Sequence, residues 1–139
     1  MGIQLDKVQP KNKKQLKQLI DYAFKHEQYD LNFIDTSKIT DMSYLFSYRD
    51  YYFDVSKWDM SNVIDISFMF YGCAKFDCDL SDWDVSNVTD MYSMFNMCEN
   101  FKGKGLENWD VSKVKDMDYM FNDCDKISIP SWYNLYHRK

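Results

Sequence analysis

Four copies of one phrase constrain this chain more than any other feature. They span residues 35–46, 59–70, 84–95 and 110–121, each opening on aspartate (Asp35, Asp59, Asp84, Asp110) and closing on phenylalanine (Phe46, Phe70, Phe95, Phe121). The opening aspartate recurs after 24, 25 and 26 residues, a period that belongs to repeat architectures. Anchors outside the phrase keep the same register. Trp58, Trp83 and Trp109 precede three copies, with Ile34 in that place in the first, and Leu31, Val55, Leu80 and Leu106 lie three residues further back. Cys73, Cys98 and Cys124 follow the closing phenylalanine at a fixed distance, with Arg49 there in the first copy, and Ile129 to Trp132 repeat only the aliphatic-to-tryptophan step. One unit of this length cannot bury its own Trp, Val, Met and Phe, so neighbouring units have to complete the core.

These residues resemble the BspA-like leucine-rich-repeat family, whose repeat reads roughly Phe-x-x-Asp-Ile-Ser-x-Trp-Asp-Val-Ser-Asn-Val-Thr-Asp-Met-x-x-Met-Phe-x-x-Cys. Residues 76–98 follow it almost completely, and the likeness covers about residues 30–132. The resemblance implies a curved solenoid used in adhesion and protein recognition, often on bacterial or parasite surfaces. The fold expectation is therefore an α/β repeat solenoid, a BspA-like leucine-rich-repeat stack of short parallel strands and short helical turns. Residues 85–89 are β-prone and predict one strand per repeat. Residues 90–95 predict a helical turn with Asp90 as its N-cap and Met91, Met94 and Phe95 on one face. Asp84 and Ser86-Asn87 supply acceptors for the turn between them.

The division along the chain follows from the repeats: 1–29 an N-terminal cap, 30–132 four and a half repeats, 133–139 a tail. In the cap, Leu16, Leu19, Ile20, Ala23 and Phe24 fall at helical spacing, predicting an amphipathic helix within 11–28 that starts at Pro10 and Asn12. Val8 and its neighbours can add a short strand. At the other end, Ile129, Trp132, Tyr133, Leu135 and Tyr136 either cap the last repeat or leave it open to homo-oligomerisation, capping being the favoured reading.

Charge is uneven. Residues 1–29 carry +3, residues 30–127 carry −10 and residues 128–139 carry +2, for a net −5. An acidic repeat surface argues against direct contact with nucleic acid, whose phosphates need lysine and arginine, and suits a protein partner with a basic surface. Neither a signal-peptide-like apolar run nor a stop-transfer segment occurs, predicting a cytoplasmic protein with no membrane contact unless a leader has been removed. That departs from the surface-displayed members of the family. Cys73, Cys98 and Cys124, at one equivalent position, read as a reduced spine of small buried thiols. Cys78 stands outside it and is the thiol expected to be reactive, if any is.

Catalysis finds no support. His26 and His137 are the two histidines, one in the cap and one in the tail, and neither accompanies a repeated nucleophile. No Cys-x-x-Cys motif occurs, and the recurring Asp41, Asp65, Asp90 and Asp116 lack a glycine-bearing ion loop, so neither metal nor cofactor is expected. The positions where repeats disagree carry the functional expectation, Tyr44, Phe68, Tyr71, Tyr92, Met97 and Tyr119, with Tyr48, Tyr51 and Tyr52 of the least regular linker the stronger contact candidates because no repeat constraint requires them. Aromatic side chains rimmed by aspartate resemble interface composition; the competing reading is an aromatic ladder that packs between turns. The resulting expectation is a non-catalytic protein-binding module. Its specific form is an inhibitor encoded by a phage or mobile element that occludes a basic host protein. A truncated adhesion module is the alternative, and an enzyme with an unrecognised site the remotest.

Overall fold

Along the closing half of the first three copies, every second backbone N–H finds its partner in the following repeat. In the computed structural model, which describes residues 6–137, the N–H groups of Leu45, Ser47 and Arg49 donate to carbonyls three residues back, on Met42, Tyr44 and Phe46. The intervening Met42, Tyr44, Phe46 and Tyr48 donate instead to Asp65, Ser67, Met69 and Tyr71 of the following repeat, at 2.8–3.0 Å. The second and third copies make the same alternation onto the third and fourth, down to Met91, Ser93, Phe95 and Met97 on Asp116, Asp118, Met120 and Asn122. Linked tight turns thus satisfy half of the donors locally and leave half for the neighbour, which answers the accounting that buried backbone demands.

This overturns the expected α/β solenoid of short strands and helical turns, and with it the leucine-rich-repeat strand. Among the described residues helix is confined to α1, Lys13–Lys25, and α2, Ser131–Tyr136. Among the described residues, β pairing consists of isolated parallel bridges, Asp41 to Asp65 to Asp90 to Asp116 along the repeats, with Asp30 to Asp54 and Val8 to Ile34 elsewhere. The 85–89 segment cannot extend because Asp84 Oδ1 accepts the Ser86 N–H and Val88 N–H closes a turn onto the Val85 carbonyl. The 90–95 segment cannot wind into a helix because Ser93 sits at φ 51°, in the left-handed region. Tyr44, Phe68 and Tyr119 take the same place in the other copies, and Tyr48, Gly72, Met97 and Asp123 repeat it four residues on. Met91, Met94 and Phe95 are fully buried as expected; their i, i+3, i+4 spacing comes from linked turns that return every third or fourth side chain inward.

The predicted turn chemistry recurs down the chain. Asp35, Asp59, Asp84 and Asp110 each accept the N–H two residues on, from Ser37, Ser61, Ser86 and Ser112. Asp41, Asp65, Asp90 and Asp116 do the same for Ser43, Ser67, Tyr92 and Asp118. Asp90 caps a turn, not a helix.

Inside, equivalent side chains form columns. Phe46, Phe70, Phe95 and Phe121 lie nearly parallel at centroid separations of 5.6, 5.5 and 5.8 Å, beside a second column of Phe53, Phe76 and Phe101. Each tryptophan indole N–H donates to the aliphatic carbonyl one repeat back: Trp58 to Leu31, Trp83 to Val55, Trp109 to Leu80, Trp132 to Leu106. All four cysteines are free. The thiols of Cys73, Cys98 and Cys124 donate to the carbonyls of Phe46, Phe70 and Phe95 at 2.7–2.9 Å, so the spine is hydrogen-bonded from repeat to repeat.

At the amino-terminal end α1 buries Leu16, Ile20, Ala23 and Phe24, and the Asn12 side chain accepts the Gln15 N–H as its N-cap. Arg49, which stands where later repeats have cysteine, pairs with Asp21 of α1 and lies over the Phe24 ring. At the other end Trp132 of α2 continues the tryptophan column on Trp109 at 6.4 Å. Among the described residues no helix is long and apolar enough to cross a membrane.

Candidate functional site

The exposed rings form a second ladder on the outside of the turns. Tyr44 lies flat on Phe68 at 4.5 Å, Phe68 meets Tyr92 at 5.2 Å, and Tyr92 meets Tyr119 edge-on at 5.7 Å. Tyr48 and Tyr71 extend it sideways, 5.3 Å apart and joined through Phe68 to Tyr71 at 5.6 Å. The third repeat breaks the sequence register, for its Tyr-Ser order reverses the aromatic position of the other copies. Ser93 turns inward and is buried, and Tyr92 fills the gap from the neighbouring position. Tyr44 remains 54 % exposed, Tyr48 65 % and Tyr119 58 %, so the ladder is a surface and not a part of the core.

Backbone conformation sharpens the point. Tyr44, Tyr48, Phe68 and Tyr119 all adopt φ between 55° and 62°, where a bulky residue costs roughly 1–2 kcal/mol and glycine nothing comparable. Gly72 occupies the equivalent of Tyr48 one repeat on, so the fold accepts glycine there. The same glycine is needed for a second reason: a Cβ at Gly72 would stand 2.6 Å from the Tyr48 ring, which lies over it.

Aspartates rim the ladder. The carboxyl of Asp90 is held above its ordinary range, chiefly by partial burial and then by the charges of Asp65 and Asp116. The Tyr92 hydroxyl is raised too, by burial first and then by Tyr119, Asp116 and Asp118. In contrast, Asp35, Asp79 and Asp84 are lowered by the serine hydrogen bonds of their turns. The two groups act on stability with opposite sign. The lowered carboxyls stabilise the fold above the ordinary aspartate range near 3.9 and lose that contribution as pH falls below it. The raised Asp90 favours the fold at low pH and loses that contribution as pH rises through its own higher value. Asp90→Asn keeps the acceptor for Tyr92 N–H and removes a like charge, so it should gain roughly 0.2–0.5 kcal/mol at pH 7 and nothing at pH 3. Urea unfolding at the two pH values checks this.

Three of the expected contact residues lie elsewhere. Tyr51 packs against Phe24 and Tyr29, and so belongs to the junction with α1. Tyr52, 68 % exposed, lines a separate acidic depression with Asp30, Asp54, Asp77 and Asp79. Met97 is exposed, at the position equivalent to Tyr48. Cys78 borders the same depression as Tyr52 but is buried, and burial pushes its thiol up to about 12. Burial and scarce thiolate at neutral pH both argue against reactivity at Cys78, the thiol singled out as reactive if any is. The cleft where the ladder ends, formed by Asp118, Tyr119, Phe121, Tyr133 of α2 and His137 just after it, is not among the expected sites. The signal for it in the sequence is the density of aromatic residues after Ile129, which reads as a cap or an oligomerisation surface, with capping favoured.

The arrangement offers aromatic surface and carboxylates. His26 Nδ1 lies 2.8 Å from the Tyr22 carbonyl within α1, and His137 packs on Tyr133 and Tyr136. Among the described residues no group of three or more His, Cys, Asp or Glu side chains is placed to hold a metal ion. A family model described as a Mycoplasma protein of unknown function, DUF285, matches residues 14–132. No curated protein and no solved structure matches the chain.

Proposed function

We propose, starting from the fact that this chain belongs to the DUF285 family, that it is a non-catalytic protein-binding module whose contact surface is the outer ring ladder with its aspartate rim. The observation that carries this reading is the placement of exposed Tyr44, Tyr48 and Tyr119, and of half-buried Phe68, at positive φ. A purely structural ladder would not need bulky side chains at the positions where glycine is the easier residue, and strained positions of this kind gather at functional surfaces. Rigid aromatics supply contact area at low entropic cost. The rim and the net charge of −5 favour a basic partner, through complementarity and faster encounter. A narrower form is an inhibitor that covers a basic, nucleic-acid-binding host surface. Four free thiols, three of them hydrogen-bonded to backbone carbonyls, suit a reducing compartment such as the cytoplasm. The repeat phrase it shares with BspA-like proteins supports common descent with that group, and with it the alternative of an adhesion module.

Affinity capture from host lysate tests the reading, using wild type, a Tyr44→Ala/Phe68→Ala/Tyr119→Ala variant and a Tyr52→Ala control, all shown to be folded by circular dichroism. The expected result is one stoichiometric partner, retained by the control and bound about 100-fold or more weakly by the ladder variant. A partner held equally by both variants would move the site off the ladder.

A further inference from the structure

We propose that the cleft at the carboxy-terminal end of the ladder takes a guanidinium or ammonium group, carried by an arginine or lysine side chain of the partner. This rests on the ladder reading and assigns its anchor point. The cleft encloses about 490 Å³ between Asp118, Tyr119, Phe121, Ile129, Tyr133 and His137. Its rings stand at right angles: Phe121 and Tyr133 are 5.0 Å apart at 77°, Tyr133 and His137 4.4 Å apart at 77°. Walls turned in different directions offer a cation both a ring face and ring edges, and the face is the electron-rich side that attracts it. Asp118 supplies the charge. Its Oδ1 accepts the Tyr136 hydroxyl at 3.2 Å, and among the described residues no lysine or arginine pairs with it. Its field reaches both the ladder and the cleft, for it contributes to raising the hydroxyls of Tyr92 and Tyr133, in each case after burial.

Continuity argues for a side chain of the bound protein over a free small molecule. Tyr119 is at once the last ring of the ladder and a wall of the cleft, so a segment lying along the ladder delivers its side chain into the cleft without a bend. A neutral apolar group would satisfy Ile129 and the rings but leave Asp118 without a counter-charge; a cation satisfies both.

The test titrates the amides of N-acetyl-arginine, N-acetyl-lysine and N-acetyl-citrulline into the ¹⁵N-labelled full chain and follows the backbone signals of residues 117–123 and 131–137. Saturable shifts of these signals by the cationic amides, without such shifts from neutral citrulline, are expected. Asp118→Asn, which keeps the acceptor for Tyr136, should weaken binding about fivefold and leave the unfolding midpoint unchanged. Binding by the arginine amide alone would assign the guanidinium, by the lysine amide alone the ammonium. Equal shifts from citrulline, or wild-type affinity in Asp118→Asn, would overturn the proposal. The two readings fail separately with a Tyr44→Ala/Phe68→Ala variant, which spares the cleft wall Tyr119: capture lost in that variant with no cleft shifts defeats the cleft alone, whereas cleft shifts with capture untouched by that variant defeat the ladder.

Discussion

Phe95→Ala should cost about 3–5 kcal/mol of stability, lowering the urea midpoint with tryptophan fluorescence and far-ultraviolet circular dichroism moving together. Phe95 has no exposed surface, and its ring touches both phenylalanine columns: Phe70 at 5.5 Å and Phe121 at 5.8 Å along its own, Phe101 at 4.3 Å across. Its backbone is tied twice to the following repeat, its N–H donating to the Met120 carbonyl and its own carbonyl accepting the Cys124 thiol. Removing the ring leaves a cavity that flat neighbours on both sides cannot close, because each is itself fixed by the next ring. Against a total of roughly 5–15 kcal/mol for a domain, a loss of this size is a large share. Tyr44→Ala is the counterpart on the outer ladder, where one stacked face is lost and the site is already half open, and about 1 kcal/mol is expected. If the two substitutions cost the same, the inner columns are not the core that holds the repeats together.

What could be read from the sequence was the chemistry that each repeat writes in full. Aspartate two residues ahead of serine is a turn signal with a mechanism, and every such turn is present. The amphipathic spacing in residues 16–24 and the Asn12 cap gave α1 within a few residues of its ends. The strand and the helical turn misled for a physical reason. Valine and threonine favour extended backbone, but Asp84 closes a turn across them, and Met91, Met94 and Phe95 keep helical spacing while the residue between them crosses to positive φ. No glycine or asparagine marks that crossing at Tyr44, Phe68, Ser93 or Tyr119, so the local signal for it is missing. The ladder itself was half legible. The aromatic residues stood out, yet the exchange of Tyr92 for Ser93 hides the continuity, and Tyr52, favoured for contact because no repeat constraint requires it, faces a different depression. The cleft beside Tyr119 depends on where α2 returns, which repeat spacing does not encode.

Gly105→Ala should cost about 2–4 kcal/mol, of which roughly 1–2 is backbone strain and the rest displacement of packed atoms. Gly105 holds φ at 92°, and a Cβ there would stand 2.2 Å from the Ser81 backbone nitrogen and 2.5 Å from its Cα. Neither atom can swing away as a side chain would, so the repeats themselves have to separate. Their separation pulls on the Leu80 N–H bonded to the Lys104 carbonyl at 3.1 Å and on the Trp109 indole bonded to the Leu80 carbonyl. The site explains the lengthening period. The stretch from the spine position to the aliphatic anchor runs Arg49 to Val55, then Cys73 to Leu80, then Cys98 to Leu106, gaining one residue each time, while the phrase itself keeps its length. Gly105 stands immediately before Leu106, where Asp30, Asp54 and Asp79 precede the other anchors, and lets the longest of these stretches pass close over Ser81. Gly103→Ala is the control, because its Cβ would meet first the tip of Ile127, a side chain that can turn aside. Thermal unfolding of the pair should show the larger loss at Gly105; equal losses would mean that positive φ alone, and not the close approach of two repeats, fixes glycine at this seam.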